Sequence, residues 1–175
     1  MICCSINKAN RSIDVTLQFQ RDQLLYDIGN YAYIEGSVMN TGESHLRHMV
    51  QDIVQGGNVD RVTRVLNLAH SAAEEILYPY TKREVSDRVL DDVLVEPEVY
   101  KILMTVPDSF SQTTLNFLEK LIHDWLVCMV IADWFSMTYP DKASVWYQKT
   151  EALKEEVENI INTRRSRVRI VKHPF

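Results

Sequence analysis

Two histidines and an aspartate lie at a spacing that would allow them to bind a metal ion. His45 and His48 are three positions apart and Asp52 follows four positions later, so all three would share one face of a helix. Imidazole nitrogen and carboxylate oxygen are ligands that Zn²⁺ takes from proteins. No second group of ligands accompanies them and no glutamate is placed as in a zinc-protease motif, so two solvated histidines are the favoured interpretation. We therefore expect no metal and no cofactor.

No other pattern in the chain is typical of an active site. His123 and Asp124 are adjacent, and adjacent residues on a helix do not face each other. The sequence has no GxGxxG, P-loop or GxSxG pattern, and its three cysteines show no CxxC spacing. Cys128 lies in an apolar stretch and is expected to be a small core residue. These observations predict a protein that is not an enzyme.

The strongest chemical signal is the charge of residues 164–175 (RRSRVRIVKHPF), which we call the arm. The arm contains four arginines, one lysine and no acid, whereas the whole chain has a formal net charge of -5, so residues 1–163 carry about -10. Such a split predicts an interaction arm, with a solvated, disordered end as the alternative. The residues that we expect to dock on a partner are Arg164, Arg165, Arg167, Val168, Arg169, Ile170, Val171, Lys172 and Phe175.

Two classes of partner are compatible with the arm. Its five cations could neutralise phosphates, which would make the chain a small helical DNA-binding or regulatory protein. The acidic body would repel the same phosphates, and the arm lacks the interleaved aromatic residues that stack on single strands. Val168 and Ile170 alternate with Arg169 and Val171, and such a segment can add as a strand to the sheet of a partner protein. Protein docking is therefore the favoured interpretation.

A mainly helical domain is predicted to carry the arm. Apolar residues alternate from Ile13 to Phe19, which predicts a strand within an extended segment at 1–20. Apolar spacings of three and four predict helices over 21–35, with Gly36 as the stop, and over 43–55. Asn58 is expected to cap the next helix, which Tyr78-Pro79-Tyr80 ends. A helical piece is predicted around Val85, Val89 and Val93, followed by an extended segment over 99–106.

The strongest helical signal follows Pro107. A helix of about 27 residues and a second long helix are separated only by Tyr139-Pro140-Asp141, so they should form an antiparallel hairpin. The second half of the first helix is apolar almost all round, and such a helix must be covered on every side. A neighbouring subunit could provide that cover. The residues predicted to form the subunit interface are Val127, Val130, Trp134 and Met137.

Size and composition favour a single helical domain over 1–163 followed by the arm at 164–175. A chain of 175 residues is large enough to bury one core without disulfides or metal. The sequence contains no run of about 18 apolar residues, so no membrane span is predicted. Cys3 and Cys4 are adjacent, which disfavours a bridge between them, so the cysteines suit a reducing compartment.

The sequence resembles the head–tail connector proteins of tailed bacteriophages, also called adaptor or neck ring proteins, and is most similar to those of crAss-like phages. The resemblance rests on residues 107–160, which begin PDSFSQTTLNFLEKLIHDW and end EALKEEVENI, followed by the arginine-rich arm ending HPF. It extends to NVDRVTRVLNLAHSAAEEILYPY and, more loosely, to DVTLQFQRDQLLYDIGNYAYIEGSVM.

This resemblance implies a structural subunit of the virion neck, made in the host cytoplasm. Such subunits are mainly helical and assemble into a ring, usually twelve-fold, beneath the portal protein. The ring extends the DNA channel and offers a platform for further neck or tail ring proteins. The arm of this chain would take the role of the segment that docks on the portal. Genomic DNA would pass through the ring transiently, and no membrane is implied.

Overall fold

The computed structural model describes residues 3–7, 12–39, 44–83 and 91–163, and these form one helical body with a small sheet. The sheet contains β1 (Cys3–Asn7), β2 (Ser12–Gln20) and β3 (Val99–Pro107). The long helices are α1 (Arg21–Val38), α3 (Val59–Ile76), α5 (Gln112–Thr138) and α6 (Pro140–Thr163). The shorter helices are α2 (Ser44–Gln51), which continues into a 3₁₀ turn (Asp52–Val54), and α4 (Tyr78–Thr81).

The sheet is antiparallel in the order β1-β2-β3, and β2 lies in the centre. Strand β2 pairs with β3 over its whole length, so that Leu17 lies opposite Ile102 and Phe19 opposite Tyr100. These side chains are buried, whereas the residues between them face outward, as the period of two predicts. The predicted strand and extended segment are both confirmed, and they are partners although about 80 residues separate them.

Helix α5 is the central element of the core. It has 27 residues and is about 40 Å long. Helix α6 folds back along it after Tyr139, which confirms the antiparallel hairpin. Helices α1, α2 and α3 also pack on α5. From Leu121 to Phe135 most of its side chains are buried, because α6 covers one side and the preceding helices cover the others.

The end of α1 differs from the sequence prediction. Helix α1 continues through Gly36 to Val38, and a Cβ atom at Gly36 would lie 2.6 Å from Cγ of Gln51. Gly36 therefore permits the close approach of α1 and α2 and does not stop the helix. Helix α3 ends before Tyr78-Pro79-Tyr80 as predicted, but Pro79 then lies in the first turn of α4, where its missing N–H is tolerated.

The helical piece predicted around Val85, Val89 and Val93 is not found in the described residues. Val85 and Val89 fall in 84–90, outside the described ranges, while Val93 is exposed in a segment without regular structure. Asp91 accepts a hydrogen bond from the backbone N–H of Val93, a local contact that competes with helix formation. Within the described ranges, no helix combines the length and the apolar character that a membrane span requires.

Candidate functional site and interaction surfaces

The predicted docking residues of the arm, from Arg164 to Phe175, lie outside the described residues. The structure shows what precedes them. Helix α6 continues without interruption to Thr163 and packs along α5 over much of its length. The arm is therefore attached directly to the end of a long helical hairpin.

The structure corrects most of the predicted subunit interface. Val127 and Val130 are each 1% exposed and Trp134 is 8% exposed in the single chain. The indole Nε1 of Trp134 donates a hydrogen bond to the backbone oxygen of Val50 at 3.2 Å, so α2 covers this side of α5. The sequence showed correctly that this helix must be covered all round, but the chain's own helices provide the cover. Met137, which is 50% exposed, is the one residue of the four on the surface.

An exposed apolar face on α1 escaped the sequence prediction. Tyr26, Tyr33, Ile34 and Val38 are each at least half exposed, and they lie on the side of α1 opposite its buried residues. A helix of a single subunit normally places polar residues on that side. The sequence does hint at this face, because the apolar residues of 21–38 do not follow a single stripe along the helix. This face is a candidate contact surface for another protein or another subunit.

The histidine pair on α2 has no metal-site geometry. His45 and His48 are both exposed, and the described residues contain no group of three or more metal-ligating side chains. The Asp52 carboxylate accepts a hydrogen bond from the Gln55 amide at 2.6 Å.

His123 is paired with Asp27 and not with its neighbour Asp124. Its Nε2 lies 2.8 Å from Oδ2 of Asp27, which also accepts a hydrogen bond from the amide of Gln23 at 3.0 Å. The two residues are 96 positions apart in the sequence, so no local pattern could have shown the pair. The contact links α1 to α5 at the surface of the body.

Cys128 is a core residue, as predicted. It is 1% exposed, and burial raises the pKa of its thiol although Lys149 lies nearby. A raised pKa keeps the thiol protonated and therefore weakly nucleophilic. The side chain acts as a small apolar residue between α5 and α6.

A groove runs between α3 and α6, with α5 as its floor; we call it the α3–α6 groove. The two helices both pack on α5 but touch each other at few residues. Met129 lines both a wider cavity of about 610 Å³ and a narrower one of about 290 Å³, so the two are parts of one groove. The wider end is lined by Ala72, Glu75, Ile76, Pro79, Trp125, Met129, Glu151, Lys154, Glu158, Ile161 and Asn162.

The two ends of the α3–α6 groove differ in charge. Three carboxylates and one ammonium group surround the wider end, whereas two guanidinium groups and one carboxylate lie at the narrower end. At the narrower end Arg61 makes a paired contact with Asp133, the shortest distance being 2.7 Å. The charged residues are Glu75, Glu151, Glu158 and Lys154 at the wider end, and Arg61, Arg64 and Asp133 at the narrower end.

Comparisons of the chain with protein-family models, with curated proteins and with solved structures found no match.

Proposed function

We propose that the chain is a structural subunit of a phage head–tail connector ring, which docks beneath the portal, extends the DNA channel and serves as a platform for tail attachment. The observation that carries the proposal is the charge split at the end of α6. A body with a formal charge of about -10 continues directly into an arm with five cations and no acid. The resemblance of residues 107–160 and of the arm to connector proteins supports the same function.

The exposed apolar face of α1 supports assembly into a ring. A ring requires two different surfaces on each subunit that fit each other, and such contacts bury apolar side chains. Tyr26 and Tyr33 are 69% and 61% exposed, and aromatic residues are enriched in protein interfaces. Since Val127, Val130 and Trp134 are already covered by the chain itself, this face of α1 replaces them as the proposed lateral contact.

The net charge of the body suits passage of DNA through the ring. Negative charge repels phosphates, so a channel built from such subunits would let DNA slide without binding it tightly. The same charge opposes stable binding of the body to duplex DNA. Positive charge concentrated in the arm would then serve a protein partner, which we propose to be the portal.

The arm can be tested with two variants that separate charge from apolar contact. Val168→Ser, Ile170→Ser and Val171→Ser together keep all five cations, whereas deletion of residues 164–175 removes both features. Strand addition depends on side-chain pockets as well as main-chain hydrogen bonds, so both variants should lose binding to the purified portal. Affinity can be measured by biolayer interferometry, with circular dichroism to confirm the helical fold.

The opposite pattern would refute portal docking by the arm. Unchanged portal affinity after deletion of 164–175 would remove the arm from the contact. Duplex DNA binding that is retained by the serine variant and weakens steeply with salt would favour the DNA-binding function instead. Both outcomes can be distinguished from misfolding because circular dichroism reports whether the variants keep the helices of the body.

A further inference from the structure

The wider end of the α3–α6 groove lies where the arm begins. Ile161 and Asn162, in the last turn of α6, line the cavity, and α6 ends at Thr163. The last described residues of α6 therefore lie at the edge of the groove. A segment that reverses direction there would run back between α3 and α6.

The groove and the arm have complementary chemistry. The floor of the wider end is apolar, with Trp125 and Met129 from α5, and its rim carries three glutamates against one lysine. The arm combines apolar residues with five cations and has no acid. Placing Val168 and Ile170 on the floor and Arg169 toward the glutamates would use both parts of the groove.

We infer that the arm binds in the wider end of the α3–α6 groove of its own chain. Along α6, Glu151 and Asn162 are about 16 Å apart at 1.5 Å per residue. An extended segment from Val168 to Lys172 spans about 13 Å, which leaves 164–167 for the reversal. In such a segment Val168 and Ile170 would share the side toward the floor with Lys172 at the segment's end, and Arg169 would lie on the other side with Val171.

The tether favours the arm of the same chain over that of a second copy. A connection of about four residues holds the arm near the groove at an effective concentration on the order of millimolar. A second copy reaches that concentration only in a dense assembly. This inference goes beyond the proposed function and does not rest on it, since it concerns the isolated chain. It adds that an arm bound in the groove must leave it before it can dock elsewhere.

Hydrogen exchange on the full chain tests this contact. Amides of 165–173 should exchange at least about tenfold more slowly in the full chain than in a synthetic peptide of residues 164–175, measured by rapid mixing and mass spectrometry. The double variant Glu75→Gln and Glu158→Gln should bring the rate back toward that of the peptide. The matched control, Asp92→Asn and Glu156→Gln, removes the same charge from exposed positions that do not line the groove, and should keep the protection.

Three results would overturn the inference. Exchange of the arm at the peptide rate in the full chain would show that it does not bind. Equal loss of protection in the groove and control variants would show that only the general negative charge matters. Protection that increases with protein concentration would assign the groove to the arm of a second copy. All four substituted carboxylates are exposed, so we expect every variant to fold, and far-ultraviolet circular dichroism would exclude unfolding as the cause.

Discussion

Val130 allows a direct test of whether the second half of α5 is core or subunit interface. The side chain is 1% exposed in the single chain. Truncation to alanine removes the two γ carbons of valine from the core, which costs about 1.6 kcal/mol of transfer free energy. The residual cavity adds roughly 1 kcal/mol, and the higher helix propensity of alanine returns about 0.5 kcal/mol. We expect Val130→Ala to lower the free energy of unfolding by about 2 kcal/mol.

Val145→Ala is the matched control. Val145 is 55% exposed on α6, so the same truncation leaves no buried cavity and retains the gain in helix propensity. Its free energy of unfolding should stay the same or rise by about 0.5 kcal/mol. Urea titration followed by tryptophan fluorescence and circular dichroism should show a midpoint about 1 M lower for Val130→Ala than for the unchanged chain.

An effect of Val130→Ala on assembly instead of stability would refute the core assignment. A Val130→Ala protein with an unchanged urea midpoint but a lower mass in solution would place Val130 at a subunit contact. The original sequence prediction would then be right, and the packing of α1, α2 and α3 on α5 would be wrong. Equal urea midpoints for both variants, with no change in mass, would also contradict the loss of stability expected from truncating a buried valine.

Two further predictions concern buried polar groups. Burial raises the pKa of Tyr100 to about 12, above the ordinary value of 10, so the folded state holds this proton more tightly than the unfolded state. The stability that this proton contributes is complete below pH 10 and is lost as the pH rises toward 12. Tyr100→Phe should therefore reduce the alkaline loss of stability by about 2 kcal/mol, measured by urea titrations at several pH values. An identical alkaline loss in both proteins would contradict this. Thr63→Val should lower the free energy of unfolding by about 1–3 kcal/mol, because the buried Thr63 hydroxyl accepts a hydrogen bond from Arg21. Thr150→Val should change it little, because the buried Thr150 hydroxyl only donates to a carbonyl of its own helix. Equal urea midpoints for the two threonine variants would show that the Arg21 contact does not stabilise the fold.

Local periodicity accounts for the parts of the fold that the sequence predicted. The alternation from Ile13 to Phe19 is sufficient to indicate β2, and the apolar stripes of α5 and α6, separated only by Tyr139-Pro140-Asp141, are sufficient to indicate the hairpin. These features depend on neighbours in sequence. They would be predicted in the same way whatever the rest of the chain did.

Relations between distant elements could not be predicted in this way. Val130 looked like an interface residue because its sequence context requires cover without showing which helix provides it. Gly36 was interpreted as a helix stop because a glycine near a helix end has that role more often than it serves close packing. The α3–α6 groove depends on how two helices diverge across α5, which no single segment encodes.

The mass of the complex formed with purified portal tests the central proposal most directly. Native mass spectrometry of the full chain mixed with portal should show a ring of this subunit, with twelve copies the usual number for the resembled proteins, bound to the portal assembly. The chain without residues 164–175 should remain folded and should be missing from that complex. A truncated chain that still joins the portal in the same number, or a full chain that never joins it, would contradict the proposed function.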